Sequence, residues 1–211
     1  MSPARHASTA RVYAALGSAL CEPTAALLDR HPSNPLLAAL GKAMVNEELG
    51  ATFEAAFESL WQALDESESV EDRLEKMQIE YARLFLAPPR PLLSPYERTY
   101  RGTTASHADA EILEAYRAFG LTVHPDHRDL PDHIALELEL MAHLRERGMD
   151  AESTEFLKNQ LSSFALRFAA DLRAATASPI YRAIADSLEA LIRTDVEFAE
   201  STHAAAGKNH E

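Results

Sequence analysis

The chain is short of the residues that build anything other than helices. Of its 211 residues only 5 are Val, 6 are Ile and 7 are Gly, against 38 Ala and 28 Leu. Strong helix formers therefore outnumber β-branched residues, and no alternation of apolar and polar positions is long enough to read as a strand. An all-α protein is expected. The single cysteine, Cys21, cannot close an internal disulfide, which excludes a disulfide scaffold and favours a reducing, cytoplasmic setting. No apolar run approaches the roughly 18 residues a membrane span requires, so stable membrane insertion is not expected. Val12 to Cys21 after Arg11 imitates a short secretory segment, but it is rich in Ala and places Leu20 where a cleavage site wants a small residue. Cations are scarce as well, with 20 Lys and Arg against 33 Asp and Glu and a net charge of −13. That balance opposes nucleic acid and anionic membranes as partners and favours a basic one, although surplus carboxylates also serve solubility alone.

What is present reads as helices separated by Pro-, Ser- and Asn-marked breaks. Ala10 to Cys21 forms a first helix stopped by Pro23, Thr24 can cap a short second one, and Asn34-Pro35 supplies a cap followed by Pro at the first helical position. Leu49, Phe53, Phe57, Leu60 and Leu64 step by three and four and predict an amphipathic helix. After the acidic break Asp65 to Asp72 another helix runs to about Leu86. Pro88, Pro89, Pro91 and Pro95 then predict an irregular loop from Ala87 to about Ser106, long enough to suggest a role in function. Asp109 to Phe119 is helical and ends at Gly120. A helix after Pro131 closes near Gly148, and two more fill the C-terminal third, the second opened by Ser178-Pro179. The expected organisation is a single multi-helix domain over 10–201 with one long Pro-rich loop, an N-terminal extension 1–9 and a disordered tail 202–211.

Two places combine polar chemistry with apolar surroundings. Leu74, Met77, Tyr81, Leu84 and Phe85 share an arc of about 100°, with Ile79 and Leu86 opposite, so this helix is expected to sit centrally with both faces covered. Its aromatics can be core, yet they lead directly into the loop carrying Pro95, Tyr96 and Tyr100, whose rings can wall a groove. On the helix after Pro131, His133, Glu137, Leu140 and Leu144 form one stripe. An imidazole and a carboxylate there must satisfy each other, a neighbour or a ligand. Asp132 is placed to cap the helix start. A metal-binding or hydrolytic alternative rests on His124, Asp126, His127, Asp129, Asp132 and His133, though their spacing matches no specific ligand pattern. No His-Glu-x-x-His, paired Glu-x-x-His or Gly-rich phosphate loop occurs.

Three blocks together are more specific than any one of them. Glu80-Tyr81-Ala82-Arg83-Leu84-Phe85-Leu86-Ala87-Pro88, then Ser94-Pro95-Tyr96-Glu97-Arg98-Thr99-Tyr100, then Pro131-Asp132-His133-Ile134-Ala135-Leu136-Glu137-Leu138-Glu139-Leu140-Met141 resemble, in order and spacing, the TorD/DmsD/NarJ family of redox-enzyme maturation chaperones. Pro179-Ile180-Tyr181-Arg182-Ala183 is similar to the family's C-terminal pattern, and the resemblance spans about residues 10 to 200. It implies an all-helical, cytoplasmic, non-enzymatic chaperone without a cofactor, binding the precursor of a molybdenum-cofactor oxidoreductase and its twin-arginine leader. It further implies that the leader groove is built from Tyr81, Leu84, Phe85, Pro95, Tyr96, Tyr100, Asp132 and His133. Glu137 joins them from the helical stripe. Ala87 stands where the family often has Gly, and Tyr96 and Tyr100 where some members have Trp.

Overall fold

A computed structural model describes residues 3–45, 49–64, 67–101, 108–120 and 131–207. The described residues form eleven α-helices and no strand: α1 (Pro3–Ala19), α2 (Ala25–Leu28), α3 (Pro35–Met44), α4 (Gly50–Ala63), α5 (Val70–Tyr81), α6 (Glu97–Arg101), α7 (Ala108–Ala118), α8 (Ile134–Glu146), α9 (Asp150–Phe156), α10 (Ser162–Ala175) and α11 (Pro179–Gly207). Two π-helical turns, Ala82–Leu86 and Leu157–Leu161, continue α5 and join α9 to α10.

Local chemistry explains most of the helix ends. The Asn34 side chain accepts hydrogen bonds from the N–H groups of Leu36 and Leu37 at 3.0 and 3.1 Å, and Pro35 follows at the first helical position. Ser69 likewise accepts from Asp72 N–H to start α5. Thr24 precedes α2 without making a side-chain cap. Beyond α8, Gly148 takes φ +66°, a conformation that costs a residue with a Cβ atom.

Helix α1 packs against α8, α3 and α11, while α4 and α10 pack on α11. At the α1–α8 crossing a Cβ on Gly17 would meet the Ala135 carbonyl oxygen at 3.0 Å, so the absence of a side chain there lets the two backbones approach. Helix α8 is apolar nearly all round, with Glu139 and little else of it exposed, and it runs through the core like a spindle. Leu49, Phe53, Leu60 and Leu64 are buried as their spacing predicts. Trp61, the only tryptophan, stacks on Phe57 at 5.9 Å and lies under the Arg30 guanidinium at 4.1 Å, on the α4 side of the molecule.

Four features differ from the sequence reading. Helix α1 starts at Pro3, inside the segment 1–9 read as an extension, because Arg5 is buried, ion-paired to Asp195 at 3.5 Å and set over the Phe198 ring at 4.1 Å. Helix α11 continues through 202–207, read as part of a disordered tail, since Ala has the highest helix propensity and adding residues to an existing helix needs no new nucleus. The Pro-rich loop contains α6, because no further proline occurs between Pro95 and Pro125 and five residues are enough for one turn. Finally, α5 and its π-helical turn are not covered on both faces: Ile79 and Leu86 are each 64% exposed.

Candidate functional site

The motif helix and the loop after it are built outward from a row of rings. Tyr81 lies 5.1 Å from Phe85, Phe85 lies 6.4 Å from Phe168 and 6.2 Å from Tyr181, Phe168 meets Phe164 at 6.1 Å, and Phe164 meets Tyr100 at 5.1 Å. The interior rings are buried, and the two ends, Tyr81 and Tyr100, are half-buried. Leu84 is fully buried and its carbonyl accepts Leu93 N–H at 2.9 Å, which ties the loop back onto the helix end. Leu84 and Phe85 are therefore core, and only the ends of the ring row reach the surface. Burial, with the Asp171 carboxylate beside it, pushes the Tyr100 phenol above its usual range. The Arg167 guanidinium sits 5.6 Å from the same ring. A groove of about 490 Å³ opens here, lined by Leu92, Leu93, Ser94, Thr99 and Tyr100 on one side and by Arg167, Ala170 and Asp171 of α10 on the other.

The polar residues of the first motif hold this arrangement in place. Glu80 accepts two hydrogen bonds from Arg83 at 2.7 Å, one from Thr176 Oγ1 at 2.7 Å and one from Ala177 N–H at 3.0 Å, while Arg83 also donates to the Ala175 carbonyl. Hydrogen bonds from Arg83 outweigh burial and bring the Glu80 carboxyl down to about 2. The end of α5 is thereby clamped to the α10–α11 turn.

A second group of residues assembles at the start of α8. Glu97 N–H donates to the Asp132 carbonyl at 2.9 Å and Ile134 N–H to the Pro95 carbonyl at 2.8 Å, so Tyr96 and His133 face each other across an antiparallel bridge. Their rings meet edge to face at 5.2 Å. The helix cap is His133, whose Nδ1 accepts Ala135 N–H at 3.1 Å. Asp132, expected to cap, instead holds Arg98: Nε to Oδ2 at 2.7 Å, Nη2 to Oδ1 at 2.6 Å, and the Arg98 backbone N–H to Oδ2 at 3.1 Å. Arg101 pairs with Glu97 at 2.8 Å. Asp132 is 0% exposed and Arg98 31%, so the carboxylate lies inside and the guanidinium outside.

His133 and Glu137 do not satisfy one another. Glu137 is fully buried, and neither of its carboxyl oxygens has a hydrogen-bond partner among the described residues. Burial raises its pKa well above the ordinary 4.5, the neighbouring Glu97 and Asp132 charges raise it further, and Arg101 opposes them. Burial and the neighbouring charges thus favour the protonated form of Glu137, which lies beside two arginine-paired carboxylates.

All nine residues singled out from sequence thus fall into two adjoining groups: Tyr81, Leu84, Phe85 and Tyr100 along the ring row, and Pro95, Tyr96, Asp132, His133 and Glu137 around the bridge. The segment 94–101 joins them. Sequence reasoning missed Glu97, Arg98 and Arg101, the charge partners of that segment, and Arg167, Ala170 and Asp171 of α10. The i,i+4 spacing of Glu97 and Arg101 was the available signal for one of these pairs. His124, Asp126, His127 and Asp129 lie outside the described residues; among those described, no cluster of three potential ligands is placed to hold a metal ion.

Helices throughout the described residues, with a groove at Tyr100 and buried carboxylates paired to arginine at the start of α8, define an all-helical protein. The family described as nitrate reductase delta subunit matches residues 46–172, which include both groups, and the chain belongs to that family, the NarJ/TorD family. Among curated relatives, the chaperone protein TorD of Vibrio parahaemolyticus is 27% identical over 173 residues, 75% of this chain and 77% of that protein. The chaperone protein TorD of Vibrio atlanticus is 25% identical over 161 residues, 70% of this chain and 75% of that protein. No helix among the described residues is long and apolar enough to cross a membrane.

Proposed function

We propose that the protein is a cytoplasmic redox-enzyme maturation chaperone that binds the precursor of a molybdenum-cofactor oxidoreductase through its twin-arginine leader and holds it until the cofactor is in place. The observation that carries this reading is the seat on Asp132, where a guanidinium already makes a bidentate pair beside Tyr96 and the groove. Carboxylate geometry of this kind selects arginine over a point charge, and rings with aliphatic neighbours suit the apolar segment that follows an arginine pair. The net charge of −13 steers a cationic segment inward from a distance, so electrostatics sets the encounter and the groove sets the hold. Tyr81, Tyr96 and Tyr100 form the rim of the site, Leu84 and Phe85 its floor, Pro95 and His133 its bridge, and Asp132 with Glu137 its acidic end. Membership of the family and the chaperone names of the two Vibrio relatives support the same assignment.

The test is calorimetric titration of the full chain with a leader peptide and with the same peptide after both arginines become Ala. Loss of the pair is expected to weaken binding about tenfold or more, the worth of one good charge-assisted contact. Equal binding to both peptides would overturn the reading.

A further inference from the structure

We propose that Arg98 is a resident stand-in for the client arginine: it occupies in cis a guanidinium seat on Asp132, and a client binds by exchanging its own guanidinium for that of Arg98. This deepens the leader-binding reading and rests on it for the identity of the client. Three features set the pair apart from an ordinary structural ion pair. The first is the inverted burial, with Asp132 wholly inside and its cation nearly a third exposed, so that the outer partner can leave into water. The second is that the carboxylate does not depend on the side chain for its position. Asp132 Oδ2 also accepts the Arg98 backbone N–H, and the Asp132 carbonyl accepts Glu97 N–H, so the seat stays in place when the side chain swings away. The third is the surplus of acid. Asp132 and Glu97 already hold one guanidinium each, and Glu137 lies buried beside them with both oxygens unpartnered, an acceptor that no resident group uses.

The Tyr96 ring, 5.9 Å from the Arg98 guanidinium, would flank an incoming arginine in the same way. Because the resident side chain competes at a very high local concentration, the seat is open only part of the time, and apparent affinity is reduced by the open fraction. The start and the end of the exchange carry the same charge inside the site, one guanidinium on one buried carboxylate, and while the seat is open the Arg98 backbone N–H remains on Asp132 Oδ2.

The experiment removes the competitor and supplies the seat with a probe. Purified full-length wild type, Arg98→Ala and the double variant Arg98→Ala/Asp132→Asn are titrated with methylguanidinium chloride, with tetramethylammonium chloride as the ionic control, and thermal unfolding is followed. A saturable rise in Tm is expected for Arg98→Ala alone, with Arg98→Gln replacing it should the Ala variant not fold. The same variant is expected to bind the arginine-bearing leader about tenfold more tightly than wild type, as an open fraction of about one in ten implies, with binding of the Ala-substituted leader unchanged. Absence of a saturable Tm rise in the folded variant, or weaker binding of the arginine-bearing leader to it, overturns the exchange. Should wild type fail to distinguish the two leaders, the leader reading falls by itself, and the methylguanidinium result still decides whether the seat exists.

Discussion

Helix α8 ends at both sides on buried carboxylates, and the two ends are built on opposite plans. At its C-terminal end Asp195 is 0% exposed and meets Arg145 at 3.1 Å, Arg5 at 3.5 Å and the Tyr13 hydroxyl at 3.0 Å, with both arginine side chains almost completely covered. Asp150 adds a further carboxylate from the rim, 3.6 Å from Arg145 and 2.5 Å from His6. At its N-terminal end three carboxyl groups sit inside, and two cations reach Asp132 and Glu97 from the wetter side while Glu137 has no hydrogen-bond partner among the described residues. Where cations are locked in with their anion, the cluster ties α1, α8 and α11 together. At the other end the anion is held by main chain and its cation is part-exposed, the arrangement that the proposed exchange requires. Burial of the cation, more than the length of its hydrogen bonds, separates these roles.

The comparison predicts unequal costs of breaking each end. Asp195→Ala removes the fully buried carboxylate that Arg145 and Arg5 share and is expected to cost about 3–5 kcal/mol of unfolding free energy, read from urea denaturation. Arg98→Ala is expected to cost less, about 1–2 kcal/mol in the same measurement, because the Arg98 backbone N–H remains on Asp132 and water can reach the vacated side. Equal losses at the two ends would erase the distinction between them.

Glu137 provides the finest test, and its effect has the opposite sign. Below pH 4.5 it carries a proton in the folded and the unfolded chain alike, and burial costs no charge. As pH rises past that value the unfolded chain releases the proton while the folded chain keeps it, so folding stability falls by up to about 1.4 kcal/mol per pH unit until the raised pKa is reached. Glu137→Gln removes this dependence. Its Tm is expected to exceed that of wild type at pH 7 by a few degrees, and the gain should shrink toward pH 4.5. A Tm difference that does not change with pH would mean that Glu137 does not keep its proton on folding.

Helix ends and faces were legible in the sequence wherever their cause is local. Asn34-Pro35, Gly148 and the stepping of Leu49, Phe53, Leu60 and Leu64 act within a turn or two of chain. Arg5 escaped the reading because the Asp195 and Phe198 that bury it lie some 190 residues away, and a polar N-terminus gives no periodicity. The same reason hid Arg98, whose partner is 34 residues downstream, and made Asp132 look like a cap when His133 serves instead. The motif containing Tyr81, Leu84 and Phe85 was visible in the sequence, but spacing alone does not distinguish a buried ring of the core from one that reaches the surface. Only Phe164 and Phe168 on α10 make that distinction.

The placement of Trp61 on α4, stacked on Phe57 and capped by Arg30, sets the single indole apart from the half-buried tyrosines of the proposed site. The protein thereby carries two separate optical reporters. Emission excited at the red edge, where tyrosine does not absorb, comes from one indole outside the groove and follows unfolding of the α3–α4 side. Ultraviolet difference absorption at the phenol bands sums over six tyrosines, of which Tyr13, Tyr116 and Tyr181 are buried and Tyr81, Tyr96 and Tyr100 half-buried, so a peptide bound at the proposed site would perturb the phenol bands while the indole reports on the fold.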